Sequence, residues 1–502
     1  MQGDFTRDTF DARKQFSRVL MQQGRVQLDA DWNEQTAILL HYLRTLAKDI
    51  LGPHAGPASD LGFEILTQGM DPAALDARLA AIEPDPARRT ALKHGLEGGN
   101  FIIGPGRYYV EGVLVENDRA VLYTEQAGYP FKDTTTLAAL KNWNRGLLAY
   151  LDVWERHITY VEDDHIRDVA LGGPDTCTRA QVVWQVKLLL QPATGAFDCD
   201  AVAGLAPGSG RLRARARLDK PPTELCVIPP ESRYRGAENQ LYRVEVHRGG
   251  EATDDQTGAT FKWSRENGSV TFPIRSLSGG TVMLEHLGRD LHLSLRPGDW
   301  VEVVDDVIAV GEQAGSLAQV NTVDRDDLSV TLKLPDGASP LPSYGEADMA
   351  TRHPLLRRWD HAGDPKDKDL GGALQVKEQA DTDLGLKAGW IDLEDGVQIW
   401  FAKGGQHRMG DYWLIPARTA TGDVDWPDEL AADGKLRLDA DGNPIAAALG
   451  PHGPRHYYAP LLLVTGGSNT AERRARDCRC RIAHLPCSYL HAFAEHGIGP
   501  DF

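Results

Sequence analysis

Five residues near the end of the sequence carry side chains suited to holding a metal ion: Cys478, Cys480, His484, Cys487 and His491, spaced C-x-C-x3-H-x2-C-x3-H. Zinc takes four nitrogen or sulfur ligands in a tetrahedron, and Cys478, Cys480, His484 and Cys487 would supply such a set from one short segment. The spacing matches no familiar finger. C-x-C places both sulfurs on one side of an extended strand, which suits a buried face as well as a shared ion. The reading is therefore no bound metal and no cofactor, with the thiols reduced and packed as small hydrophobes.

Other reactive types give weaker signals. Glu162, Asp163, Asp164, His165 and Asp168 form an acidic run that lacks the glycine of an EF-hand loop, and it reads as a solvated loop. Glu155 and His157 in "WERH" read as strand positions rather than as an acid–base pair. The sequence has no G-x-S-x-G elbow, no H-E-x-x-H, no phosphate-binding G-x-x-x-x-G-K and no strand-linked G-x-G-x-x-G. Glycosidase carboxylate pairs carry no such signature. Trp154, Trp184, Trp263, Trp300, Trp400, Trp413 and Trp426 lie in β-rich stretches, where core packing is expected over a sugar-stacking platform.

The elements that would hold these residues are mostly strands. In 502 residues, 51 glycines and 29 prolines favour turns and short strands, and the length calls for several domains. A net charge of -18 disfavours nucleic acid and anionic lipid as partners. The first ten residues show no secretory signal and no stretch is apolar enough for a membrane span, so synthesis in the cytoplasm is expected, and action outside the cell would call for release by lysis or as part of something larger. Six cysteines are too few for a disulfide scaffold.

The predicted organisation is mainly β and multidomain, with a small helical N-terminal region and small antiparallel barrels or sandwiches. Residues 1–60 read as an arm followed by a helix that starts at an Asp31 cap with Glu34 three residues on, and stops at Gly52 and Pro53. Phe5, Phe10, Phe16, Trp32, Leu39, Leu43 and Leu46 are its expected docking residues. Residues 61–99 form a helical insert whose two helices open on Asp-Pro. A first β-rich domain spans 100–193, a linker or surface excursion 194–235 and a second β domain 236–345, with a type I′ hairpin turn at Asn267 and Gly268. An irregular connection covers 346–389, a C-terminal β block 390–468 and the Cys/His-containing tail 469–502.

The opening "GDFTRDTFDARKQFSRVLMQQGRVQLDADWNEQ" resembles an uncharacterised bacterial family associated with phage tails and extracellular contractile injection systems. In order follow "YLDVWERHITYVEDDHIRDVALGGPDTCTRAQVVWQVK", "TFKWSRENGSV", "LRPGDWVEVVDD" and "MGDYWLIPARTATGDVDWP". The resemblance covers most of the chain. It implies a non-enzymatic structural or accessory subunit, at the baseplate or its periphery, partnered by other tail or baseplate proteins in a homo- or hetero-oligomeric assembly. A carbohydrate-binding or wall-hydrolysing tail component, and a cytoplasmic assembly factor, are the alternatives.

Overall fold

The computed structural model describes the chain apart from residues 98–99, 130–145, 172–174, 193–194, 196, 206, 218–232, 254–256, 289, 381–388, 440–441, 466–473 and 483–502. As expected it is mainly β, in several sheets and one closed barrel, with the long helices near the N-terminus. Helix α1 runs Asp29–Leu51, its cap three residues earlier than the sequence signal: Leu28 is the cap, and its N–H donates to the Asp31 carboxylate at 3.2 Å. Glu34, free of any capping duty, accepts from Thr9 Oγ1 at 2.6 Å. The helix ends where Gly52 takes φ 83°. Helices α2 (Pro72–Ile82) and α3 (Pro86–Glu97) begin on their Asp-Pro signals, with Asp71 and Asp85 accepting from Ala74 N and Ala87 N at 2.9 Å. They are not a separate insert. Leu79, Leu92 and Leu96 share one core with Leu151, Val153, Val186 and Leu188 of the first β unit.

That unit is built on a long hairpin. Leu147–Ile158 runs antiparallel to Arg179–Leu190 in unbroken register, from Leu147 opposite Leu190 to Ile158 opposite Arg179. Its acidic connection uses its carboxylates locally: Glu162 accepts from Thr159 N, Asp163 from His165 N, and Asp164 pairs with Arg167. On its other side Leu147–Ile158 pairs with Tyr457–Thr465, so the C-terminal block completes the first β unit.

The contiguous boundaries read from sequence break down at several places for one reason. A strand pairs with whatever covers its apolar face, whatever the separation along the chain. Gln240–Arg248 and Thr260–Ser264 join Tyr412–Arg418 in a five-stranded sheet. Leu212–Ala216, inside the expected linker, pairs with Val397–Ala402. The barrel closes through Thr271–Ser278, Thr281–Leu284, Trp300–Val304, Ser316–Asp324, Ser329–Lys333 and Leu355–Trp359, the last lying inside the expected irregular connection. Alternation fills its interior with Phe272, Ile274, Val282, Leu284, Val301, Val303, Val330 and Leu356.

Asn267 and Gly268 have φ 51° and 65°, as a type I′ turn requires, and Ser269 N donates to Glu266 O at 2.9 Å. The flanking strands do not pair with each other, however. The turn passes the chain from the five-stranded sheet to the barrel, and its backbone is fixed by Arg357 donating to Gly268 O and Asn267 Nδ2 donating to Gly3 O. Gly268→Val should therefore cost about 1–3 kcal/mol, since a β-branched residue resists positive φ. Denaturation in urea measures it; an unchanged midpoint would refute the claim.

Candidate docking interface

Helix α1 turns its apolar residues outward. Trp32 is 66%, Leu43 62% and Ile50 71% exposed, and Leu39, Leu40, Tyr42 and Leu46 are exposed beside them. Only Ala30 and Ile38 are buried on the helix. Its attachment to the body is otherwise polar. Arg44 grips the Glu155 carboxylate with two hydrogen bonds of 3.0 and 2.8 Å, Lys48 meets Glu111 at 2.5 Å, and Asp29 accepts from Thr6 N at 2.8 Å. Gly112, at φ 79°, lets the helix come close: a Cβ there would lie 2.1 Å from Arg44 O. Gln35 Oε1 accepts from Val19 N at 2.8 Å, which ties the arm to the helix at that point, and Phe16, Leu20, Met21, Val26 and Leu28 are exposed.

The first residues of the arm behave differently. Gln2 donates to Glu245 at 3.1 Å, Arg243 to Met1 O at 3.1 Å, and the Met1 amine to Tyr412 Oη at 2.8 Å. Phe5 stands edge-on to His157 and Phe10 leans on His41, both half-buried. Of the seven expected docking residues, Phe16, Trp32, Leu39, Leu43 and Leu46 face solvent, while Phe5 and Phe10 rest on this chain's own body. The arm is thus split into a stitched part and an outward part.

Beneath α1 lies a cleft of about 890 Å³ between the helix, the long hairpin, the five-stranded sheet and the barrel. Period-two alternation sets its chemistry. Tyr242, Val244, Phe261 and Trp263 face one core, so Arg243, Glu245, His247 and Lys262 face the other way, towards the barrel. Val301, Val303 and Leu356 fill the barrel, so Glu302, Arg357 and Trp359 point out at them. Lys262 Nζ is 2.6 Å from Glu302 and 3.3 Å from Glu245, and lies 4.4 Å from the Trp359 ring centre. Trp359 Nε1 donates to Glu302 at 2.9 Å and Arg243 to Glu245 at 2.5 Å. Burial alone would raise the Glu245 carboxyl; Arg243 and Lys262 outweigh it and hold the group at about 2.

A second buried network sits where the hairpin meets Tyr457–Thr465. Asp152, Glu312 and His456 offer ligand atoms within 4.8 Å of one another, a spacing open to a metal ion. The Lys187 ammonium already holds that place, 2.7 Å from Asp152 and 2.5 Å from Glu312, with His456 Nδ1 2.7 Å from Asp152 and Arg408 2.8 Å from Glu312. The positive charge these carboxylates need is supplied by the chain itself.

At the C-terminal end Cys478 is disulfide-bonded to Cys199, 279 residues away, with their Cα atoms 5.8 Å apart. This corrects the expectation of reduced thiols for that pair and removes one of the four zinc donors. Cys480 is a free, exposed thiol, and His484 and Cys487 lie outside the described residues. The segment is anchored by Gly56 N donating to Cys480 O at 3.0 Å, Cys480 N to Tyr108 Oη at 3.0 Å, and Arg479 to Gly62 O at 2.9 Å.

A family profile matches residues 1–206 and 206–497. The chain belongs to DUF6519, a family of unknown function. No curated protein and no solved structure matches it. DUF6519 therefore brings no catalytic or binding residue to the chain, and the site rests on geometry alone. Sequence reasoning found the outward residues of α1 by their helical spacing. It missed Arg243, Glu245, Lys262, Glu302 and Arg357, whose only sequence signal is a charge within a short, largely apolar strand.

Proposed function

We propose that this chain is a non-enzymatic structural subunit of a phage-tail-like contractile injection particle, at the baseplate or its periphery, held in place by α1 and residues 16–28. The observation that carries the docking role is the outward presentation of Trp32, Leu39, Leu43, Leu46 and Ile50. Apolar area removed from water gains about 25 cal/mol per Å², so a contiguous exposed set marks a surface that is covered in use. The particle is inferred from the sequence resemblance. The disulfide supports it, because disulfides persist in proteins that finish in oxidising surroundings, as a released particle does. Among the described residues no helix is long and apolar enough to cross a membrane.

A wall-hydrolysing or sugar-binding component would call for exposed tryptophans beside a protonated and an ionised carboxyl. Among the described residues the tryptophans of the β units are buried or half-buried, and Glu245 and Glu302 share one lysine and are both held below the usual carboxylate range. These features favour the structural reading. The test is particle purification from cells carrying a Leu39→Asp, Leu46→Asp double variant. We expect particles that lack this protein although it is made and folded. Particles that retain the variant at normal stoichiometry, or wild-type particles that never contain the protein, would sink the proposal.

A further inference from the structure

The outward residues of α1 follow a finer rule than amphipathicity. With Leu43 at position a and Leu46 at position d of a heptad, the seam reads Trp32 (d), Thr36 (a), Leu39 (d), Leu43 (a), Leu46 (d) and Ile50 (a), all exposed. Alternating steps of four and three residues are the spacing of a coiled-coil seam. The positions that face the body are Ala30, Glu34, Ala37, Ile38, Arg44 and Lys48, at b, c and f, where a coiled coil leaves a helix uncommitted. Both faces of α1 are therefore assigned, one to its own fold and one to another helix.

The flanks of the seam indicate which helix. Coiled coils that choose a foreign partner do so with charges at e and g. Here those positions hold Asn33, Leu40 and Ala47 on one side and Gln35, Tyr42 and Asp49 on the other, with one charge among six. Such a seam meets no repulsion from a copy of itself, and a surface that complements itself closes around a two-fold axis.

We propose that α1 pairs antiparallel with α1 of a second copy of this chain; the inference rests on the reading of α1 as a docking face. The antiparallel layers set Leu39 against Leu43, Thr36 against Leu46 and Trp32 against Ile50. Asp29, the preceding a position, falls outside the overlap. Parallel pairing in register would instead place two Asp29 carboxylates face to face and align the helix dipoles. The seam spans three heptads on a helix of 23 residues, about 34 Å long, which is short for an isolated coiled coil. Anchorage to the body orders the helix beforehand, so pairing does not bear the ordering cost. Val19, held by Gln35, places part of the arm on that side of the seam.

Sedimentation velocity on the full chain across about 1–50 μM is the primary test. A dimer is expected, and Leu43→Asp should raise its dissociation constant on the order of 100-fold with an unchanged melting curve, because Leu43 takes no part in the fold. Tyr42→Cys should give a disulfide-linked dimer on oxidation beyond the wild-type background from the chain's own cysteines, because g faces g only when the helices are antiparallel. A wild-type chain that stays monomeric throughout, or a dimer indifferent to Leu43→Asp, overturns the pairing. A monomer still taken into particles through α1 overturns self-association while leaving the assembly role intact. A dimer missing from particles supports the pairing and overturns only that role.

Discussion

Lys262→Met should destabilise the chain by about 3–5 kcal/mol, the range for removing one member of a buried ion pair. Lys262 is 3% exposed and is the shared cation of Glu245 and Glu302, which are themselves almost fully buried. Removing the ammonium leaves Glu302 with hydrogen bonds from Trp359 and Gly315 but no close cation in hydrogen-bond range. Glu245 keeps Arg243. Most of the loss should therefore sit on Glu302, and the double variant Lys262→Met, Glu302→Gln should recover a substantial part of it. Urea denaturation at neutral pH measures both. A single-variant loss under about 1 kcal/mol would mean that water reaches the cluster and screens it.

Acidification should unfold the protein well above the usual carboxylate range. Burial depresses His157 and His247 to about 3 and His361 to about 4, so all three are neutral in the fold. In the unfolded chain they protonate near pH 6.5. The unfolded state thus binds more protons between about pH 6.5 and 4, and stability falls as pH falls across that window. Asp411 opposes them: burial raises it to about 6, so it takes up its proton while folded. Each proton of difference between the two states corresponds to ~1.4 kcal/mol lost per pH unit. Below pH 4.5 Glu245 and Glu312, each held at about 2 by neighbouring cations that outweigh burial, add to the loss. Melting temperatures from pH 7 to 4.5 should drop steeply, and His157→Gln should flatten the slope by about one proton. A flat profile would show that these imidazoles are hydrated in the fold.

Local signals in the sequence located what local physics controls. The starts of α2 and α3 follow from Asp-Pro, the end of α1 from Gly52, and the positive φ at Asn267 and Gly268 from a dipeptide whose chemistry tolerates it well. The β-rich character of residues 100–193 was legible in the same way, whereas the pairing of Leu147–Ile158 with Arg179–Leu190 came only with the fold. The helical spacing of Leu39, Leu43 and Leu46 announced an apolar face, because periodicity is a property of the helix alone.

Which way that face points was settled by tertiary structure. Arg44, Lys48 and Asp29 find Glu155, Glu111 and Thr6 only in the folded chain, and those contacts turn the apolar side to solvent. The same holds for strand partners that lie hundreds of residues apart, for the barrel strand Leu355–Trp359, and for the bond between Cys199 and Cys478. The buried charges show the limit most plainly. Alternation says that Glu245 and Lys262 leave the sheet on the side away from Val244 and Phe261; it does not say what stands there. Glu302 and Trp359 arrive from the barrel, and their arrival turns a costly pair of charged positions into a satisfied network. Sequence determines periodicity and caps because they depend on neighbours along the chain, whereas burial and pairing depend on neighbours in space.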